Sequence, residues 1–354
     1  MMSRYNITTS MNTFGRNKTK TNLDMRNLAL VQQLSLAIIE KILPLMFALG
    51  LCCNILIIVY FVKINVRKTK RLKKMSVYHY LIVNLAFSDL LTCIGAPFTI
   101  NANFQPAWTL GKFGCYFLKD FSTVVCPIVS CWLIVLMSYM RHLSLTRPLG
   151  VTVKYAKWKC SLMIFFLWLL AFMSSLFRTT KWKLVFIERD GNKSLQCVLN
   201  TSGEFRHLHR TSLFLFNLII PLALMLYFYR KIKHTMSTSE SYFINDQKVE
   251  QRNKSALRVV KMLIVIFVIA ISPGNIVYAG TTFLKLVLDQ EKTLFYDLLV
   301  AYFELIKAVC YFITFSNNVF NFVVYAWIMK DFRSFLISLF SFRLDVIDKL
   351  FPRK

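Results

Sequence analysis

From Ile42 to Val62 the chain carries no formal charge, and the twelve residues that follow, KINVRKTKRLKK, hold seven basic side chains and no acid. Long apolar blocks closed by short basic ones recur along the sequence. Windows of ~20 mostly apolar residues, enough to cross a hydrocarbon core of ~30 Å, fall near 42–62, 78–100, 114–140, 160–178, 211–230, 257–280 and 298–327. None shows the two-residue alternation that a transmembrane barrel strand needs. The pattern therefore predicts an all-α membrane protein, a seven-transmembrane helix bundle. Pro44, Pro97, Pro127, Pro221 and Pro273 lie inside these windows, where neighbouring helices can satisfy the carbonyls they free, and each is expected to kink its helix. The organisation expected is a tail over 1–41, the bundle over 42–327, and a cytoplasmic helix and tail over 328–354.

Composition supports lipid as the solvent: 56% of residues are hydrophobic and 17% charged, against about 25% charged in soluble domains. The net charge of +27 would suggest a nucleic-acid partner if it were spread over a soluble surface. Its confinement to segments between apolar spans argues against one. With the N-terminus outside, the three inner connections carry twenty basic residues and the outer segments about fifteen, a modest positive-inside margin. N-x-S/T acceptors at Asn6, Asn17, Asn192 and Asn200 fall on that outer side, against Asn253 on the inner one. An extracellular N-terminus and glycosylation at those four asparagines are expected. Residues 1–30 lack the apolar core of a cleavable signal peptide.

Of nine cysteines, Cys115 and Cys197 alone fall in the oxidising compartment under this topology. A bridge between them is favoured over two free thiols. Cys197 also ends VFIERDGNKSLQCV, in which an Asp-Gly pair between strand-favouring flanks predicts a hairpin. The bridge would hold that hairpin over the mouth of the bundle.

Charged side chains inside a span are costly unless they face the bundle interior, so each is a functional candidate. Asp89 lies mid-span, with Asn54, Ser130, Asn317 and Asn321 at comparable depth. A carboxylate ringed by such oxygens can hold a sodium ion; interhelical hydrogen bonding explains the same residues. Arg141 lies 26 residues after Cys115, or ~39 Å of helix, which carries it to the inner face. Snorkelling to the headgroups is its plainest role.

In order, the chain has Asn54 after Gly50, LAFSD ending at Asp89, Trp108 before Cys115, Arg141 with Pro148 beyond it, Trp168, Cys197, and Pro221 with Tyr229. It continues with Phe267 and Pro273, then Asn321 and Tyr325, and ends in the amphipathic KDFRSFLISLF. In these residues it resembles the rhodopsin-like (class A) G-protein-coupled receptors over nearly its whole length, closest in style to neuropeptide receptors. The resemblance implies a short amphipathic eighth helix, a plasma-membrane location, and a heterotrimeric G protein as partner. It also implies a sodium site formed by Asp89, Ser130, Asn317 and Asn321, with no other cofactor. Arg141, Tyr229, Phe267, Pro273 and Tyr325 become the residues that switch and couple to the G protein.

Several family patterns are altered. D-R-Y is replaced by Met140-Arg141-His142, C-W-x-P by Ala270-Ile271-Ser272-Pro273, and N-P-x-x-Y by Asn321-Phe322-Val323-Val324-Tyr325. Asn253 stands where the family often has an acid at the inner end of span six. Without those acids Arg141 loses a charged restraint, which predicts signalling above background. The absent tryptophan and proline predict the opposite, a weak or silent receptor. One residue more than usual separates Cys115 from Arg141, which with Pro127 predicts a bulge in span three.

At the position of the amine receptors' aspartate stands Thr123, or Ser122 if the bulge shifts the register, and Leu213, Phe214 and Phe216 are expected to face that depth. A small amine is therefore disfavoured. Phe315 occupies the place of a retinal-bearing lysine, and Lys307 lies two turns too high. The long hairpin and charged rim suit a peptide ligand, with Lys119, Asp120, Thr123, Glu304 and Lys307 as candidate contacts able to pair with a ligand or with one another. An ion or solute transporter is the rival of another class, but the paired repeats and broken helices it needs are missing. No H-E-x-x-H, G-x-S-x-G or phosphate-cradling loop occurs, so an enzyme is not expected.

Overall fold

The computed structural model describes residues 18–70, 77–104, 107–146, 153–189, 192–200, 203–240, 257–258, 260–277, 279–280 and 294–350. Among these, seven helices are long and apolar enough to cross a membrane: Met25–Ile64, Val77–Phe98, Gly111–Leu143, Trp158–Leu176, Leu208–Met236, Val260–Val277 and Leu299–Ile328. Each overlaps one of the seven predicted windows, and they are referred to below as spans one to seven. Side chains such as Leu45, Phe98, Phe165 and Trp327 are more than half exposed; such faces suit a bundle solvated by lipid tails.

Span one begins earlier than its apolar run. Helix Lys18–Ala37 leads through a π turn, Ile38–Ile42, into helix Leu43–Lys70, so residues 18–41 are helical where a tail was expected. This stretch contains no glycine or proline to end a helix. It buries Val31 and Ser35 and runs beside the long helix Leu294–Ile328 of span seven.

Proline shapes the spans by a specific device. π turns at Ile38–Ile42, Phe121–Val125, Leu215–Ile219 and Phe267–Ile271 each end two residues before a proline: Pro44, Pro127, Pro221 and Pro273. A proline ring lacks an N–H and clashes with the carbonyl four residues back. Widening the preceding turn, as in the Cys126 N–H bonding to the Phe121 carbonyl, lets the backbone step around the ring. The bulge expected near Pro127 is thus present, and a further π turn spans Gly114–Leu118. Pro97 lies inside an uninterrupted helix, Val77–Phe104.

Between spans four and five, strands β1 (Trp182–Arg189) and β2 (Asn192–Leu199) form the predicted hairpin. Arg189 pairs with Asn192, leaving the two-residue Asp190-Gly191 tip outside the described residues. Cys115 and Cys197 are bridged, with Cα atoms 5.7 Å apart, and the Trp108 amide donates to the Leu195 carbonyl at 2.7 Å. At the opposite end, helix Lys330–Leu350 follows span seven. It buries Phe332 against Tyr60 of span one, centroids 4.9 Å apart, and against Phe322 at 5.4 Å. Phe322 is the residue that replaces the family's proline, and here its ring docks the eighth helix.

Candidate functional site

A cavity of about 760 Å³ descends from the hairpin to Asp89. Its upper wall includes Lys119, Arg178, Trp182, Arg210, Glu304 and Lys307, its middle Thr123 and Leu213, and its floor Asp89, Ser130 and Asn317. Ile271, at the position of the family's span-six tryptophan, lines the wall. With a smaller side chain there, the upper chamber and the Asp89 chamber form one space.

At the floor, Asp89 is buried and accepts hydrogen bonds from the Ser130 hydroxyl at 2.6 Å and the Asn321 amide at 2.7 Å. Asn54 sits apart, donating to the carbonyls of Gly50 and Asn318 at 2.9 Å each, and so ties span one to span seven. The Asn317 side-chain oxygen is buried with no hydrogen-bond partner. That oxygen, the Asp89 carboxylate and the Ser130 hydroxyl are hard donors of the kind sodium takes. Asn321 contributes an N–H to Asp89, which positions the carboxylate. Among the described residues no cluster of three or more His, Cys, Asp or Glu side chains could hold a metal.

Near the hairpin the candidate contacts separate into distinct roles. Asp120 is buried and does not line the cavity. It accepts from the Trp182 indole at 2.8 Å and from Thr179 at 3.3 Å, and pairs with Arg178 at 3.4 Å. It therefore anchors β1 to spans three and four. Lys307 donates to both oxygens of Glu304 at 2.7 Å, one turn apart on span seven. Lys119 lies between two indoles, 4.1 Å from the Trp182 ring centre and 5.0 Å from that of Trp108. Thr123 lines the cavity and donates to the Lys119 carbonyl. Ser122 is buried and turned to the Leu118 carbonyl at 2.8 Å, which resolves the register in favour of Thr123.

On span five, Leu213 and Asn217 line the cavity. Phe216, expected to face it, instead packs on Trp132 with centroids 4.8 Å apart, and Phe214 is not on the wall. The π turn Leu215–Ile219 adds a residue and rotates the face that a regular helix would present.

At the Arg141 end, the guanidinium carbon lies 3.8 Å from the ring centre of Tyr78 on span two. Its neighbour Met140 is half-buried. Tyr325 is buried with its hydroxyl unpartnered, Tyr229 is half-buried on span five, and Phe267 is fully buried at the start of its π turn. The structure does not join Arg141, Tyr229 and Tyr325 by hydrogen bonds. Sequence reading missed Tyr78 and Trp182, because stacking partners on other elements leave no local signal. Asn253, Asn6 and Asn17 lie outside the described residues, as do the acids at 289 and 291 and the side chains of Asn192 and Asp297; Asn200 is exposed just after β2.

Comparison with known proteins agrees with this architecture. Residues 53–325 match the model of the 7 transmembrane receptor (rhodopsin family). Human C-C chemokine receptor type 1 is 26% identical over 317 residues, 87% of this chain and 81% of the relative. Galanin receptor type 1 of Rattus norvegicus is 24% identical over 303 residues, 85% and 81%, and Opsin-VA of Rutilus rutilus is 26% identical over 271 residues, 75% and 65%. With the family model covering the chain from span one to Tyr325, the protein belongs to the rhodopsin family of seven-transmembrane receptors, which makes it a multi-pass plasma-membrane receptor and not an enzyme.

Proposed function

We propose that this receptor takes a peptide ligand in the cavity beneath the hairpin and activates a heterotrimeric G protein at its Arg141 end, with the N-terminus and hairpin extracellular. The observation that carries the reading is the size and depth of one cavity roofed by a fastened hairpin. A volume of about 760 Å³ lies in the upper part of the range for ligand sites, and strand edges near the roof can bind an extended backbone. Similarity to a chemokine receptor and a galanin receptor favours a peptide over a small amine, as does Thr123 in place of an acid. Phe315 lines the cavity where an opsin would carry its lysine, so the opsin relatives do not bring retinal with them. In the same reading Asp89, Ser130 and Asn317 hold sodium while Asn321 orients the carboxylate.

The test is guanine-nucleotide exchange on purified G proteins, with the full chain in nanodiscs and a peptide library as stimulus. Exchange that rises with peptide and vanishes in Arg141→Ala supports the reading. Peptide binding without exchange on any G-protein class would leave a scavenging receptor instead.

A further inference from the structure

We infer that Lys119 is an anion anchor: the cavity recognises a ligand carboxylate, from a peptide C-terminus or an acidic side chain, through an ammonium caged by Trp108 and Trp182. The inference rests on the receptor reading and adds the chemistry of the ligand to it.

The argument begins with the three N–H donors of an ammonium. Lys119 faces two indole rings at 4.1 and 5.0 Å, which attract its charge but accept no conventional hydrogen bond. Among the described residues no carboxylate lies within ion-pair distance of it. Two of the other upper cations are already matched by acids. Arg178 leans on Asp120, which is buried behind the wall, and Lys307 gives both its contacts to Glu304. Glu304 and Asp89 are the acidic side chains on the wall among the described residues. Asp89 is engaged with Ser130, eleven residues below Lys119 on the same span, or ~16 Å deeper at the helical rise, too far for direct contact. Lys119 thus presents a desolvated charge to the cavity with its donors unused. A carboxylate supplies the acceptors and the opposite charge, and charge-assisted bonds of this kind are the stronger class. The indoles fix the position of the ammonium, so little side-chain freedom is lost on binding.

The experiment uses the purified full chain in detergent and two matched pairs of probes. One pair is acetyl-leucyl-phenylalanine as free acid and as amide; the other is acetyl-aspartyl-phenylalanine amide and its asparaginyl counterpart. Affinity is read from ligand-induced thermal shift. The expected result is that at least one acid binds about ten-fold or more tightly than its neutral partner, and the pair that discriminates identifies the source of the carboxylate. Lys119→Met removes the discrimination and Lys119→Arg retains it; if the methionine variant does not fold, Lys119→Gln serves. The inference is overturned if neither acid outbinds its partner, or if the preference persists in the neutral variants. No G protein enters this measurement, so its failure and that of the exchange assay are separable.

Discussion

Arg141, at the end of span three remote from the hairpin, has no acidic neighbour in sequence and stacks on Tyr78. A guanidinium stacked 3.8 Å from a ring centre in a half-buried setting gains about 1–2 kcal/mol. If that contact holds the resting arrangement, its removal shifts a two-state equilibrium by roughly 5 to 30-fold toward the active form. The perturbation is a pair of variants, Tyr78→Phe, which keeps the ring, and Tyr78→Leu, which removes it at similar bulk. Basal nucleotide exchange without peptide should stay near wild type in the first and rise several-fold in the second. Under the proposed coupling role of Arg141, Arg141→Ala in the leucine background should abolish the rise. Equal basal rates for phenylalanine and leucine would refute the reasoning, because the ring would then play no part; equal and raised rates would point instead to the Tyr78 hydroxyl.

Three further outcomes follow from the geometry. Cys197→Ser opens a loop of 82 residues, whose closure contributes about 4 kcal/mol in the chain-entropy model; the variant should melt earlier and lose peptide-driven exchange while retaining any basal signal. Under the proposed sodium site the wild type should melt higher in sodium chloride than in choline chloride; Asp89→Asn, which removes the carboxylate charge and turns an amide N–H toward either Ser130 or Asn321, should lose that difference. In Gly274→Ala the new methyl group meets the Thr314 side chain, forcing spans six and seven apart at a cost of about 1–3 kcal/mol; Gly274→Ala combined with Thr314→Ala should recover most of the loss in midpoint.

The span positions were legible because each is an apolar block bounded by charge, and the hairpin because Asp-Gly sits between strand formers. Asp89 and its partners Ser130 and Asn321 were legible as well: polar residues at one depth in lipid have few places to point. Two things escaped. The helix over 18–41 is too polar to read as a span, although nothing in it ends a helix. The division of labour around Lys119 depends on Trp182, 63 residues later in sequence, so Asp120 looked like a ligand contact when it is a hairpin anchor. The span-five face was misjudged for a related reason. A periodicity argument assumes 3.6 residues per turn, and a π turn before Pro221 breaks the phase.

Three grips on the roof of the cavity come from one edge. Cys115, Trp108 and Asp120 each grip the hairpin from span three or the segment before it, like hinges on a single edge. Phe205 and His209 line the space on the span-five side. Bulk added at Phe205, between that side and the chamber, should lengthen the residence of a bound molecule before it alters selectivity.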